Sequence, residues 1–148
     1  MRKFEVCKGY EKANVVLPER KTKFSAGYDI SSLYDLDINP GEIKLVKTGL
    51  KVCMNPNEVL KVYPRSSLGV KKGLMLANSV GIIDADYYSN PDNDGHIMIA
   101  LYNFSSIPAH IESGERIAQG IFNEYLVTDN DIATKVRKGG FGSTNKDR

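Results

Sequence analysis

Apolar and polar positions alternate along this chain in short bursts rather than long periods. Glu58-Val59-Leu60-Lys61-Val62-Tyr63 mixes alternation with β-branched residues, the pattern of a strand. Arg116 to Phe122 alternates in the same way, with Gln119 as a polar residue inside it. Glu42 to Thr48 and Gly49 to Met54 are further strand candidates, and Ile97 to Asn103 opens on a continuous apolar run that predicts a strand buried on both faces. Asn39-Pro40-Gly41 and Asn55-Pro56-Asn57 are turn signals beside these strands. Val70 to Met75 has room for a helical turn, but Gly69 and Gly73 oppose a long helix. Many short strands joined by turns predict an all-β fold, a barrel or sandwich such as a jelly roll.

A chain of 148 residues fits one domain, and 41% hydrophobic with 26% charged residues is ordinary globular usage. A net charge of +2 is too even for a protein that binds DNA by bulk charge. The longest apolar candidate, Leu74 to Ile83, is interrupted by Asn78 and Ser79, and it falls short of the ~20 residues of a membrane span. Met1-Arg2-Lys3-Phe4-Glu5 has no apolar core of a secretion signal, so the expected location is cytoplasmic. Cys7 and Cys53 lack metal-ligand spacing and are expected to be reduced, buried thiols. His96 and His110 lie in different segments, which speaks against a histidine metal site or a Ser-His-Asp triad.

Four segments carry candidate chemistry. Tyr63-Pro64-Arg65-Ser66-Ser67-Leu68-Gly69 offers a guanidinium fork, two hydroxyls and backbone N–H groups, a set that suits phosphate oxygens or a solvated turn. In Asn78 to Tyr87, Asp84 and Asp86 stand two apart, so an extended chain would point both carboxylates to one face. Such a pair serves a general base or calls for a cation; it also suits a plain acidic turn. Gly114 to Phe122 places Gln119 within a strand. Arg137-Lys138-Gly139-Gly140-Phe141-Gly142-Ser143-Thr144 combines glycines, cations, hydroxyls and one aromatic. That composition cannot bury enough to order itself, so residues 137–148 are expected to form a mobile arm beside a body of residues 1–136. The arm reads as a flap for an anionic, planar ligand, on whose base Phe141 would stack.

Together with Ala26-Gly27-Tyr28-Asp29-Ile30, these segments occur in an order that closely resembles the five motifs of the trimeric dUTP diphosphatases, or dUTPases. The resemblance runs from about residue 24 to residue 144. It implies a distorted jelly-roll barrel, a homotrimer with sites between subunits, and an arm from one chain closing a site built by the others. The implied activity is Mg²⁺-dependent hydrolysis of dUTP to dUMP and pyrophosphate by water attack at the α-phosphorus. Such an enzyme limits uracil in DNA and supplies dUMP for thymidylate synthesis. Neither nucleic acid nor a membrane is an expected partner.

By match to the motifs, Asp84 is the general base and Tyr87 packs under the deoxyribose. Asn78, Ile82, Ile83 and Met98 line the deoxyuridine pocket. Arg65, Ser66, Ser67 and Gln119 contact phosphates, as do Gly142, Ser143 and Thr144. Phe141 stacks on uracil, Asp29 approaches Mg²⁺ through water, and Asp86 is assigned a structural role. Two departures stand out. Arg137 sits one residue off the usual arginine of the fifth motif, leaving Lys138 as the alternative γ-phosphate contact. Tyr88 to Gly95 is about six residues longer than the common hairpin, which suits a plain surface turn, a subunit contact or a handle for a protein partner. Two other functions remain open at this stage. One is a dCTP deaminase of the same fold; the other is a regulatory protein-binding role in addition to or in place of catalysis.

Overall fold

The structure, a computed structural model, describes residues 1–142. Eleven strands, one short helix and one 3-10 turn follow the chain as β1 (Lys3–Val6), β2 (Tyr28–Ser31), β3 (Leu36–Ile38), β4 (Ile43–Lys47), β5 (Leu50–Cys53), β6 (Glu58–Pro64), α1 (Ser66–Lys72), β7 (Leu74–Leu76), β8 (Gly81–Asp84), the turn Ala85–Tyr87, β9 (Met98–Asn103), β10 (Ala109–Ile111) and β11 (Arg116–Glu124). All pairings are antiparallel. The largest sheet has the order β2-β11-β6-β8; a second has β4-β9-β7; β1-β5 and β10-β3 form two-stranded ribbons. This is the all-β, jelly-roll type of fold that the alternation predicts.

The five strands legible in the pattern all form, β4, β5, β6, β9 and β11. Both predicted turns close as well, with Glu42 N–H donating to Asn39 O at 3.0 Å and Glu58 N–H to Asn55 O at 3.0 Å. Their inward residues make one core, in which Ile30, Ile38, Leu50, Leu60, Leu101, Ile111 and Ile117 lose essentially all solvent contact. Each such side chain contributes about 1.5–3 kcal/mol by leaving water. Among the described residues, no helix is long and apolar enough to cross a membrane.

Three expectations change. The helical turn predicted at Val70 to Met75 instead spans Ser66–Lys72, and it ends where Gly73 turns left-handed at φ 64° and donates back to Gly69 O and Leu68 O. A side chain at position 73 would also strike Ser105, 2.5 Å from an ideal Cβ, so both conformation and space require glycine. The apolar run of β9 is not buried on both faces: Ile99, Leu101 and Asn103 point into the core, while Met98, Ala100 and Tyr102 are half-covered. Of the thiols, Cys7 is buried and pushed up to about 12 by burial, whereas Cys53 is only half-buried. Beyond β11, residues 125–136 have no regular structure, so the sheet ends at Glu124, well before the composition changes at 136/137.

Beneath the β4–β5 turn lies a buried polar knot. Thr48 Oγ1 donates to Ile97 O at 2.6 Å, and Gly49 N–H donates to His96 Nε2 at 2.9 Å. Because Nε2 must accept, His96 is held neutral; burial, aided by Lys47, lowers its pKa below 6.5. Exposed His110 is the opposite case, raised by its 2.7 Å contact with Asp37.

Two stability predictions follow from these contacts. Leu101→Ala empties a fully buried position, so urea unfolding should read a loss of about 2–5 kcal/mol. For His96 the unfolded chain takes up a proton before the native one, so its contribution is intact above pH 6.5 and is lost as pH falls below that value. The loss cannot exceed about 1.4 kcal/mol per pH unit. The His110 contribution runs the other way, present below pH 6.5 and lost as pH rises through its elevated value. His110→Asn should therefore steepen the fall in stability between pH 7 and 5.5, while His96→Gln should flatten it, as measured by urea midpoints.

Candidate active site

Strand β8 lies on β6 with Val62 opposite Gly81 and Val59 opposite Asp84. Asp84 therefore ends the strand, and the chain turns at once through Ala85–Tyr87. Against this corner opens a cavity of about 210 Å³. Asn78, Ile82, Ile83, Asp84, Tyr87 and Met98 line it, and so do Arg137, Phe141 and Gly142 from the C-terminal segment. All nine were singled out in the sequence, and the fold brings them together. Val62, Leu76, Gly81, Ile97, Ile99, Ala100 and Gly140 complete the wall.

Tyr87 is buried, and its hydroxyl is fixed at both ends of its hydrogen-bonding capacity. It donates to His96 O at 2.9 Å and accepts from Asn93 Nδ2 at 2.8 Å. Burial raises its pKa, so the phenol stays neutral and the ring orientation is locked. Asp84 is exposed at the rim, in reach of solvent.

Asp84 and Asp86 do face one way, although they are not in one extended strand: Asp84 closes β8 and Asp86 sits in the turn. What aligns them is Arg137, whose Nη2 donates to Asp84 Oδ2 at 2.7 Å and whose Nε donates to Asp86 Oδ1 at 2.7 Å. Arg137 thus rests on carboxylates at the place where the resemblance expects it to meet phosphate, and Asp86 helps hold it. Its guanidinium carbon lies 5.9 Å from the centre of the Tyr87 ring. Lys138 is exposed, Gly140 is buried, and Phe141 is 59% exposed at the mouth. In this single chain the arm lies over its own pocket. Ser143 and Thr144 fall outside the described residues.

A second group assembles elsewhere. Asp29 on β2 stands opposite Gln119 on β11, which stands opposite Tyr63 on β6. Arg65 follows β6 and approaches Asp29 with Nε 3.6 Å from Oδ1, while Arg116 Nη1 donates to Asp29 Oδ2 at 3.0 Å. Gln119 is not a solvent-facing amide: it is half-buried and donates to Pro64 O at 3.3 Å. Ser66 and Ser67 open α1 just beyond Arg65. None of these residues lines the Asp84 cavity.

The β6–β8 register explains the separation. Asp84 pairs with Val59, and Arg65 stands six residues further along, about 20 Å at the rise of a strand. Sequence order alone carried no hint of that distance. It also left Asp92 and Asn93 unassigned beyond their place in a long hairpin, yet Gly140 N–H donates to Asp92 Oδ2 at 3.1 Å and Asn93 holds the Tyr87 hydroxyl. The available signal was the Asn-Pro-Asp-Asn spacing of a side-chain-stabilised turn. Among the described residues, no group of three or more His, Cys, Asp or Glu is placed to hold a metal ion.

Comparisons with known proteins identify the family. The dUTPase family model matches residues 13–145. A deoxyuridine 5'-triphosphate nucleotidohydrolase of Lactococcus lactis is 51% identical over 146 residues, covering 97% of each chain. One from Haemophilus influenzae is 39% identical over 138 residues, covering 88% of this chain and 87% of its own. Among solved structures, the dUTPase from Streptococcus mutans superimposes with a TM-score of 0.82 at 44% identity, covering 86% of this chain and 99% of that one. A dUTPase from phage phi11 of S. aureus, 21% identical, shares the fold with a TM-score of 0.74 over 91% of this chain and 97% of its own. A chain matched along nearly its whole length, with the motif residues gathered as described, belongs to the dUTPase family.

Proposed function

We propose that this chain hydrolyses dUTP to dUMP and pyrophosphate in a homotrimer whose sites are shared between chains. Family membership supports the activity, and one observation carries the mechanism: an exposed carboxylate, Asp84, at the lip of a small pocket floored by an immobilised tyrosine. At about 210 Å³ the cavity is smaller than the roughly 300–1,000 Å³ usual for a drug-sized ligand. It suits a base and sugar, leaving the phosphates outside.

In this reading uracil enters between β8 and β9, where backbone groups near Asn78, Ile82, Ile83 and Met98 meet its edge. Cytosine would invert donor and acceptor at C4 and leave buried groups unpaired, which discriminates strongly. The deoxyribose lies on Tyr87, whose fixed ring leaves no room for a 2′-OH. Asp84 takes a proton from water as the water oxygen bonds to the α-phosphorus. The bond from that phosphorus to the α,β-bridging oxygen breaks, and pyrophosphate leaves. Positioned proton abstraction of this kind contributes about 10²–10⁴-fold.

The ~20 Å between Asp84 and the Arg65 group along β6 argues for a neighbour's contribution. Arg65, Ser66, Ser67 and Gln119 of one chain then serve phosphates whose base sits in the pocket of another. Arg137 is released from Asp84 and Asp86 when phosphate offers it a stronger anionic partner, which frees Asp84 to act as base. Phe141 covers the base; Gly142, Ser143 and Thr144 complete the phosphate contacts. Mg²⁺, a hard cation that prefers phosphate oxygens and water, would be held mainly by the triphosphate, with Asp29 as an outer carboxylate. When bound, it neutralises charge that builds on the leaving pyrophosphate.

The test is pyrophosphate release with Mg²⁺ and each of dUTP, dCTP, dTTP and UTP. Turnover of dUTP alone is expected; ammonia release from dCTP would indicate the deaminase instead. Asp84→Asn should lower kcat by about 10²–10⁴-fold with nucleotide affinity within a few-fold, measured by steady-state kinetics and calorimetry. Near-normal turnover would remove Asp84 from the role of base.

A further inference from the structure

The long hairpin after Tyr87 is folded inward rather than outward. Asn90 is buried: its Nδ2 donates to Tyr87 O and to Asn93 Oδ1, both at 2.8 Å, and its Oδ1 accepts from the N–H groups of Asp92 and Asn93 at 3.0 and 3.1 Å. Asp94 ties the far side down, accepting from Lys8 N–H and Lys51 Nζ at 2.9 Å each. The loop is thus a rigid object, and two of its side chains are left facing the site. Asn93 Nδ2 donates to the Tyr87 hydroxyl, and Asp92 Oδ2 accepts from Gly140 N–H.

Gly140 is buried against this loop so closely that an ideal Cβ would lie 2.8, 2.8 and 2.9 Å from Asn93 Cγ, Nδ2 and Oδ1. Real Cβ atoms essentially never approach so near. All three of the nearest atoms belong to the Asn93 side chain, so that side chain is what a Cβ at position 140 would first strike. The negative φ of Gly140 does not itself call for glycine.

We propose that the Ser89–Gly95 loop is the catch for the C-terminal arm, with Asp92 and Asn93 as positioning residues that seat Gly140 and thereby set Phe141 over the pocket. Asn93 touches both Tyr87 and Gly140, so one side chain couples the ring beneath the sugar to the arm above the base. The proposal deepens the dUTP reading and rests on it. The contact is made within one chain in this structure, and in an assembly the same loop receives whichever arm lies over its pocket. The extra length of this hairpin then has a catalytic purpose: it builds the wall against which the arm closes.

The experiment is a double-mutant cycle on the full chain. Gly140→Ala should lower kcat/KM for dUTP by about tenfold or more when Asn93 is present, and by only about two- to threefold in an Asn93→Ala background, because the obstructing atoms are gone. Asp92→Ala removes the acceptor for Gly140 N–H but keeps the Asn90 turn. It should lower kcat several-fold while the urea midpoint stays unchanged, an outcome that a merely structural role does not produce. The chain has no tryptophan, so Phe141→Trp provides a single fluorophore for arm closure. Its change on adding a non-hydrolysable dUTP analogue should shrink when combined with Asp92→Ala. Additive costs at positions 93 and 140, or full closure and turnover with Asp92→Ala, would overturn the proposal. A parent chain that releases no pyrophosphate from dUTP would instead overturn the functional reading itself.

Discussion

The antiparallel pairing of β6 with β8 governs how this molecule can work. With Val59 opposite Asp84 and Val62 opposite Gly81, the register places the pocket on one flank of the sheet and the candidate base at one end of β6. The other end of the same strand runs into Arg65 and α1, beside Asp29 and Gln119. A slip of one residue would turn every side chain of β8 to the opposite face, so the buried Leu60 and Val62 hold Asp84 in place as firmly as any polar contact. One strand therefore separates two sets of chemical groups that a single nucleotide would need at once. A shared site is the economical resolution.

Charge is arranged in keeping with that division. In the pocket half, two carboxylates and one guanidinium form a compact set, Asp84, Asp86 and Arg137. In the other half, two guanidiniums flank one carboxylate, Arg65, Arg116 and Asp29. Each half is ion-paired within the chain but keeps one charge in excess, negative beside the pocket and positive beside Arg65, and each can exchange a partner for phosphate or metal. The arm belongs to this economy. Arg137 anchors it by charge, Gly140 by close approach, and Phe141 is left at the mouth, more than half exposed, where a flat base could cover it.

Much of this was legible in the chain. Four of the five legible strands, β4, β6, β9 and β11, have five or more residues, long enough for the pattern to survive, and four-residue β5 was legible beside them. The remaining six strands have only three or four residues each, too few for any period to register. The start of α1 was misplaced because Gly69 in its middle looked like a break, whereas the break is Gly73. The pocket residues were recognisable through motifs, and they do converge. What motifs could not convey was distance: Arg65 and Asp84 read as parts of one site, and only the sheet register puts about 20 Å between them. The inward turn of the hairpin was hidden for a related reason, since the hydrogen bonds that tie it down run to Lys51 and Lys8, which sequence spacing does not rank as neighbours.

The central claim is that one nucleotide is served by Asp84 of one chain and Arg65 of another. The most direct measurement is complementation between two inactive chains. Asp84→Asn and Arg65→Ala, each carried on a separately tagged chain, are co-expressed and the mixed oligomers are purified through both tags. Sites that pair an intact Asp84 with a neighbour's intact Arg65 should restore a substantial fraction of dUTP turnover, well above the sum of the two variants assayed alone. Mixed oligomers no more active than that sum would contradict the shared site and return both residues to a single chain.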